Sequence, residues 1–453
     1  MKQVLALLVV GFLATTAWGQ MVVNENFNEA PFITPAGWTG GNVDLTGTGW
    51  DVAPSTGLTE TANVTNDWPS NAGYVTGGSL GDINADGNVG SDDWSSTDGG
   101  LGVYRGSTGD QAEWHYNGTN TTGRTVGYWK LTYDAGCFIN RVPGSNGQDQ
   151  VTAYVNGVQA AQSKWFITTA SETNINAGAV DPDAIVIPDA DSSTNYNVDS
   201  TTVRDSGVTG IVTAPTAASD PLTLRFRMIQ NEKYKGNNSA KHLGLSVDNV
   251  QCLAIAPGDL NADGTVTTLE AFTTINNIGM TGATYANGDG DGDGTVSTLE
   301  AFTAANMIGN YAAQAAAPQM AADVNLVYDP STGAVTLQDG TGAGIKSVYI
   351  TGLTLNSADA VVPAGALTLE NDASVLSWAS LSANVAFDGD SIGSAGFLPT
   401  GLTQSDLSSL SFTYGQVGTI GNLTGGVVVV PEPATMTLLA LGGLGLIRRR
   451  RRA

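Results

Sequence analysis

Between residues 21 and 256, hydrophobic and polar positions alternate with a period of two in short runs at Val126–Tyr133, Gln150–Val155, Leu222–Met228 and Leu243–Leu253. Each run has the length of a strand with one buried face, and turn residues separate the runs. Asn156-Gly157 joins two of them. That dipeptide suits a two-residue hairpin turn, which needs positive φ at both central positions. The stretch Ser171–Thr216 is polar and reads as long loops. The pattern predicts one large β-sandwich over 21–256.

Strand patterning resumes after an Ala-rich linker at 312–322. Strands are expected at Val324–Tyr328, Ala334–Leu337, Ile345–Leu353, Ala366–Leu369, Leu410–Tyr414 and Gly425–Val430. A second, smaller sandwich over 323–429 follows from these. Between the two sandwiches the period changes. Leu269, Phe272, Ile275 and Ile278, then Leu299, Phe302 and Ile308, fall at helical spacing, with Gly279 and Gly309 where C-caps belong. The chain is therefore expected to be mainly β, with a small helical module over 257–311. In the large sandwich, the opening Asn24–Asn28 with Gly37-Trp38, and the closing Leu245–Val250, resemble the first and last strands of lectin-like jelly rolls. The resemblance implies that these end strands pair side by side.

The helical module carries the strongest chemistry. Two twelve-residue loops stand thirty residues apart. The first supplies Asp259, Asn261, Asp263, Thr265, Thr267 and Glu270 at positions 1, 3, 5, 7, 9 and 12; the second supplies Asp289, Asp291, Asp293, Thr295, Ser297 and Glu300. A hard divalent cation such as Ca²⁺ takes six to eight oxygens, and the EF-hand pattern delivers them from these positions, with Gly at position 6 for the sharp turn. Gly264 and Gly294 fill that position. Pro257-Gly258 and Gly288 precede the loops and argue against entering helices. A loop with one exiting helix, duplicated within 256–311, resembles the type I dockerin module. The resemblance implies two Ca²⁺ ions and a cohesin-like partner, or a β-domain of the chain itself as partner. The chain departs from the family at position 12, with Glu270 and Glu300 for Asp, and at positions 10 and 11, with Thr268-Leu269 and Thr298-Leu299 for a hydroxyl pair. A simpler reading is that calcium only staples a module too small to build a core. A third loop, with Asp82, Asn84, Asp86, Gly87, Asn88 and Asp93, also fits the calcium pattern, and Gly90 leaves position 9 to water. Its alternative is an Asx-rich turn without metal.

The two ends carry addresses. Residues 1–19 combine Lys2, an apolar run from Val4 to Leu13, and small residues before Gln20, as a secretory signal peptide does. At the other end Pro431-Glu432-Pro433 precedes the apolar stretch Ala434–Ile447 and five arginines, Arg448–Arg452. This order resembles the PEP-CTERM sorting tail. The resemblance implies a transient, short transmembrane helix in the inner membrane, an exosortase-type processing enzyme, and final residence in the cell envelope or outside it.

Charge narrows the partners. The chain has 453 residues, 18 basic groups, 42 carboxylates and a net charge of −24. Lys2 and the five tail arginines lie in the two end segments, which leaves twelve basic residues for the exported body. Such a body repels nucleic acid. Cys137 and Cys252 lie in strand-like runs and could pair once exported. Catalytic patterns are weak. His115 and His242 have no metal-ligand spacing, and the Gly-x-Ser-x-Gly matches at Ser79 and Ser391 lack the strand-to-helix context of a nucleophile elbow. Glu113-Trp114-His115-Tyr116 is the most site-like run, but on a strand Trp114 and Tyr116 share one face and Glu113 and His115 the other. No catalytic residue is assigned. Trp50, Trp68, Trp94, Trp129 and Trp165 are candidates either for stacking on sugar rings or for the core. The leading expectation is a non-catalytic, exported, calcium-binding protein that binds a glycan or another surface ligand. The alternatives are a polysaccharide-active hydrolase recruited through the calcium module, and structural matrix material.

Overall fold

The period-two runs of the first sandwich do form strands, because each buries one face against an opposing sheet. The structure is a computed structural model that describes residues 21–25, 50–52, 73–76, 99–104, 111–139, 147–167, 184–187, 201–229, 243–312 and 324–430. The signal peptide, the third calcium-type loop at 82–93, most of the 312–322 linker and the sorting tail lie outside the described residues. The chain divides into two compact units, one spanning Gln20–Ile255 and the other including Ala256–Ala453.

The first unit contains β1 (Met21–Glu25), β2 (Trp50–Val52), β3 (Gly73–Thr76), β4 (Gly99–Tyr104), β5 (Gln111–Thr119), β6 (Val126–Ile139), β7 (Gly147–Val155), β8 (Val158–Ile167), β9 (Ile185–Ile187), β10 (Thr201–Thr216), β11 (Pro221–Ile229) and β12 (Leu243–Ala254). One sheet runs β10-β6-β12-β4-β3 with β1 also on β12; the other runs β2-β5-β11-β7-β8-β9. Leu131 and Tyr133 of β6, Leu245 and Val247 of β12, and Leu224 and Phe226 of β11 share one core. The Tyr133 and Phe226 rings meet edge to face at 5.3 Å across it. The first and last strands pair antiparallel, with Asn24 opposite Gln251, as the jelly-roll-like ends led one to expect. Asn156 and Gly157 have φ of 47° and 81°, which is the hairpin turn that their sequence demands.

Two expectations are corrected and one open alternative is resolved. Part of the stretch read as loop, Thr201–Thr216, is the longest strand of the unit, β10. It sits at a sheet edge, where its outer face and Pro215 are tolerated and the alternation is blurred by solvent-facing polar residues. Cys137 and Cys252 do not pair. They lie on neighbouring strands, but Cys137 stands opposite Leu245 and Cys252 opposite Leu131. Six residues of strand separate the two levels, about 20 Å at 3.3 Å per residue, against the roughly 6 Å between Cα atoms that a disulfide spans. Cys252 is free and buried, and burial pushes its thiol well up, so it behaves as a small hydrophobe. The tryptophan candidates that the structure describes, Trp50, Trp129 and Trp165, are buried, as is Trp114. They fill the core. Trp129 donates its indole N–H to the Ala214 carbonyl at 3.1 Å and to Thr216 Oγ1 at 3.2 Å.

In the second unit the helical module comes first, with β13 (Thr265–Val266), α1 (Thr268–Asn276), α2 (Thr298–Asn306) and β14 (Gly309–Asn310). The sandwich follows with β15 (Val324–Tyr328), β16 (Val335–Asp339), β17 (Ser347–Thr351), β18 (Leu367–Asn371), β19 (Val375–Ala379), β20 (Ser391–Gly393), β21 (Ser411–Gly415), β22 (Leu423–Thr424) and β23 (Gly426–Val429). Its sheets run β20-β16-β15-β23 and β18-β19-β17-β21-β22. Leu326, Leu337, Ile350, Trp378 and Phe412 lie in the core between them. β19, which carries the fully buried Trp378, was not foreseen. Among the described residues no helix is long and apolar enough to cross a membrane.

Candidate metal centre

The two loops fold by the same local rules. Gly264 and Gly294 take φ of 88° and 84°, the left-handed turn that the pattern reserves for glycine. Ala262 is held at φ 56° where the second loop has Gly292 at 80°. An alanine in that region stores strain, which the surrounding loop must impose. In the first loop Asp259 accepts hydrogen bonds from the backbone N–H of Asp263 at 3.1 Å and Gly264 at 3.0 Å. In the second Asp289 accepts from Gly292 at 2.8 Å and Gly294 at 3.0 Å. Both first-position aspartates are fully buried. Position 5 repeats as well: Asp263 accepts from Thr265 N–H at 2.8 Å and Asp293 from Thr295 N–H at 2.7 Å.

Helices α1 and α2 leave the loops with capping boxes. Thr267 and Ser297 accept from the N–H of Glu270 and Glu300, each at 3.2 Å, and each glutamate reaches back to the N-cap. The Thr-x-x-Glu and Ser-x-x-Glu spacing carries this signal, which the reading of Thr267 and Ser297 as ligands passed over. The helices end at Asn277 and Met307, two residues before the glycines expected as caps. Gly279 and Gly309 instead begin the segments that pair with the opposite loop. Val296 exchanges hydrogen bonds with Gly279 and Met280, while β13 pairs with β14 so that Val266 faces Gly309. Each loop is thus braced by the chain leaving the other helix.

The loops differ at position 12. Glu270 makes only its capping contacts, at 2.9 Å to Thr267 N–H and 2.7 Å to Thr267 Oγ1. Glu300 caps with one oxygen and turns the other into its loop, accepting from Gly290 N–H at 2.5 Å. Oxygens of Asp289, Asp291 and Asp293 lie within 4.8 Å of one another. Burial pushes the carboxyls of Asp259, Asp291 and Glu300 above their ordinary range, with neighbouring carboxylates adding to the shift. Residues 256–430 contain sixteen carboxylates and one basic residue, Lys346. Lys346 donates to the Ala305 carbonyl at 3.0 Å. The donor set is therefore all hard oxygen, anionic and convergent, and it fits Ca²⁺ in the second loop and in the first by its matching frame.

The module also has a neighbour in its own unit. Seven of the nine residues of α2, Glu300 to Asn306, are buried. Phe302 meets Tyr349 of β17 with ring centroids 5.5 Å apart. Asn306 donates to Asn422 Oδ1 at 2.8 Å, Asn422 to Thr303 Oγ1 at 2.9 Å, and Ser347 Oγ to Asn306 Oδ1 at 2.7 Å. Lys346, pulled down to about 8 by burial, stays charged at neutral pH and places a cation at the C-terminal end of α2. Sequence reasoning missed this seam. Its one clue was that Lys346 is the lone cation between Lys241 and Arg448.

On the first unit, the most site-like run is split as strand geometry requires. Trp114 is buried and Tyr116 packs on the core, while His115 is half-buried on the other face. On that same outer face Arg225 stands between His115 and Tyr154, and its guanidinium lies 4.0 Å from the Tyr154 ring centroid. Thr152, Gln150 and Gln162 continue the polar face, joined through the Gln162 amide at 2.7 and 3.2 Å.

The model of the PEP-CTERM protein-sorting motif matches residues 429–452. The match supports export, association with the envelope and processing at the membrane. No curated protein matches the chain by sequence. Among solved structures, the chain is similar to a Stig cyclase, Fisc, from Fischerella sp. TAU, at 16% identity over 51% of this chain and 96% of that one, with a TM-score of 0.26. It is similar to TmCBM61, solved in complex with beta-1,4-galactotriose, at 7% identity over 46% and 92%, with a TM-score of 0.19. It is also similar to the CBM22-1-GH10 modules of Clostridium thermocellum endo-1,4-beta-D-xylanase 10B, solved with xylohexaose, at 9% identity over 56% and 34%, with a TM-score of 0.22. At superpositions this loose no ligand or activity passes from those proteins to this one.

Proposed function

We propose that this is an exported, envelope-associated calcium-binding protein, with a non-catalytic glycan- or surface-binding sandwich followed by a dockerin-like docking element. The observation that carries the reading is the second loop, where three carboxylates converge within 4.8 Å and helix α2 delivers a fourth, Glu300, to the same loop. Two Ca²⁺ ions occupy the tandem loops, one held by Asp259, Asn261, Asp263 and the Thr265 carbonyl, the other by Asp289, Asp291, Asp293, the Thr295 carbonyl and Glu300. Titration calorimetry on the exported chain is expected to give two calcium sites, and a third if the 82–93 loop also binds. An isotherm flat at millimolar calcium would remove the reading. The docking face is on α1, where Leu269 is 73% and Phe272 43% exposed. A cohesin-like β-domain is the partner that the module's resemblance implies.

The glycan face of the first unit is the outer side of β5, β11 and β7. Its support is the half-buried aromatic ring of Tyr154, fixed against Arg225, beside the amides of Gln150 and Gln162, groups that match sugar hydroxyls; the Thr152 hydroxyl is buried beneath Gln162. Tyr154→Ala is expected to weaken retention on a bound polysaccharide about fivefold, since a stacked ring contributes on the order of 1 kcal/mol. Far-ultraviolet dichroism should stay unchanged, because the ring is outside the core. Affinity electrophoresis measures the first and excludes a folding defect with the second. Retention that survives Tyr154→Ala places the ligand elsewhere. Turnover of a polysaccharide that is lost with Glu113→Gln would move the protein to the hydrolase reading.

A further inference from the structure

Helices α1 and α2 share their first six residues, Thr-Leu-Glu-Ala-Phe-Thr, yet they meet different surroundings. Phe272 of α1 is 43% exposed, and the matching Phe302 of α2 is fully buried against the sandwich. Where α1 has Thr274-Ile275, α2 has Ala304-Ala305. The smaller Ala305 lets Lys346 approach its carbonyl, and the buried amides of Asn306 and Asn422 complete the seam. Each of these polar groups has its partner inside the seam, so removing one strands another in a buried place.

Both ends of α2 are tied to the calcium loops. Glu300 joins its first turn to the second loop. Its exit is tied to the first loop, through the pairing of β13 with β14 and through Tyr311, whose hydroxyl donates to Asp259 Oδ2 at 2.5 Å. The sheet beneath α2 contributes no calcium ligand. We propose that α2 is a calcium-dependent brace of the C-terminal sandwich: metal in the loops fixes α2, and α2 fixes β17 and β19. This rests on the calcium reading above and assigns it a consequence outside the module. A ligand that binds only the braced form stabilises every segment that opens together with it. The docking element therefore has most of α2 committed to its own chain, while Leu269 and Phe272 of α1 and Leu299 at the start of α2 stay exposed.

Hydrogen exchange read by mass spectrometry on the full chain, with calcium or with a chelator, tests the brace. In the wild type, calcium should slow exchange in 347–351 and 375–379 about a hundredfold for each loop site lost on opening, and so about ten-thousandfold for both, when free calcium is roughly a hundred times Kd. In Asn306→Ala, and in Lys346→Met, which keeps the apolar stem and with it the packing, peptides over 289–293 should keep their calcium response while the sandwich peptides lose it. Phe272→Ala, the matching change on α1, should leave both responses intact. If calcium slows the loop peptides of the wild type but not 347–351 and 375–379, the brace is wrong and the calcium sites stand. A sandwich response that persists in both seam variants also overturns it. If no peptide responds to calcium, the calcium reading falls and the brace falls with it.

Discussion

Chelating calcium is expected to lower the melting temperature of the C-terminal unit by roughly 10–20 °C, from about 2.7 kcal/mol for each of two sites held at a hundred times Kd. Residues 256–311 should unfold first. They have a small core of their own, and their loops gather carboxylates that repel one another without a cation between them. Differential scanning calorimetry with calcium and with chelator measures the difference, and Asp263→Ala combined with Asp293→Ala should abolish it. The loop carboxyls carry a pH dependence opposite in sign to that of Asp329, Asp339, Asp372 and Asp406 in the sandwich, which lie below the ordinary carboxyl range and accept hydrogen bonds from neighbouring Ser and Thr residues. Burial raises the carboxyls of Asp259, Asp291 and Glu300 in the folded protein. The folded, chelated form therefore binds protons more tightly than the unfolded chain. This contribution is fully present below the unfolded carboxyl range near pH 4 and is lost as pH rises through the raised values. In chelated protein the module 256–311, followed by hydrogen exchange of its own peptides, should therefore gain protection as the pH falls from neutrality toward that range. With calcium the order reverses, because protons then compete with the metal for the same oxygens. A melting temperature indifferent to calcium at pH 7 would sink the prediction.

Legibility in the sequence followed how strongly each residue's neighbours constrain it. β6, β7, β11 and β12 were readable because one face of each is buried on a sheet and the other is wet, so period two survives in the letters. β10 was not readable: it lies at an edge, and Gly207, Gly210 and Pro215 interrupt it. Gly210 has to be glycine because a Cβ there would run into the Ala160 carbonyl of β8, a contact between sheets that no local pattern records. The convergence of Asp289, Asp291 and Asp293 was readable because the loop pattern fixes their spacing within twelve residues. The use of Thr267 and Ser297 as helix caps was equally local but was masked by the ligand pattern laid over it. The burial of α2 was not legible. Its sequence is almost that of α1, and the difference lies in what stands opposite, Tyr349, Lys346 and Asn422, all far along the chain. A backbone carbonyl such as that of Ala305 leaves no letter at all. The disulfide expectation failed for a related reason: both cysteines were read correctly as lying on strands, but register decides whether two cysteines on neighbouring strands meet.

Protein recovered from the native envelope is expected to yield no peptide from Leu438–Ala453 by mass spectrometry. The sorting-tail match covers residues 429–452, and the sandwich comes right up to it. β23 pairs in parallel with β15, and Val430 N–H donates to the Tyr328 carbonyl at 2.9 Å as the last such bond before Pro431. Prolines at 431 and 433 have no N–H to donate to a ladder, and Val430 makes the last ladder-type bond among the described residues. Ala434–Ile447 is fourteen residues. As a helix it would span about 21 Å, less than the roughly 30 Å of a bilayer core. In the arrangement that the sorting-tail resemblance implies, a span that short would draw Pro-Glu-Pro to the outer interface, with Arg448–Arg452 on the inner side. Cutting at Pro-Glu-Pro removes the anchor and leaves every described strand pairing intact, since all of them lie before Pro431. Surface-located protein that still carries its arginine cluster would show a plain membrane anchor instead of a removable one.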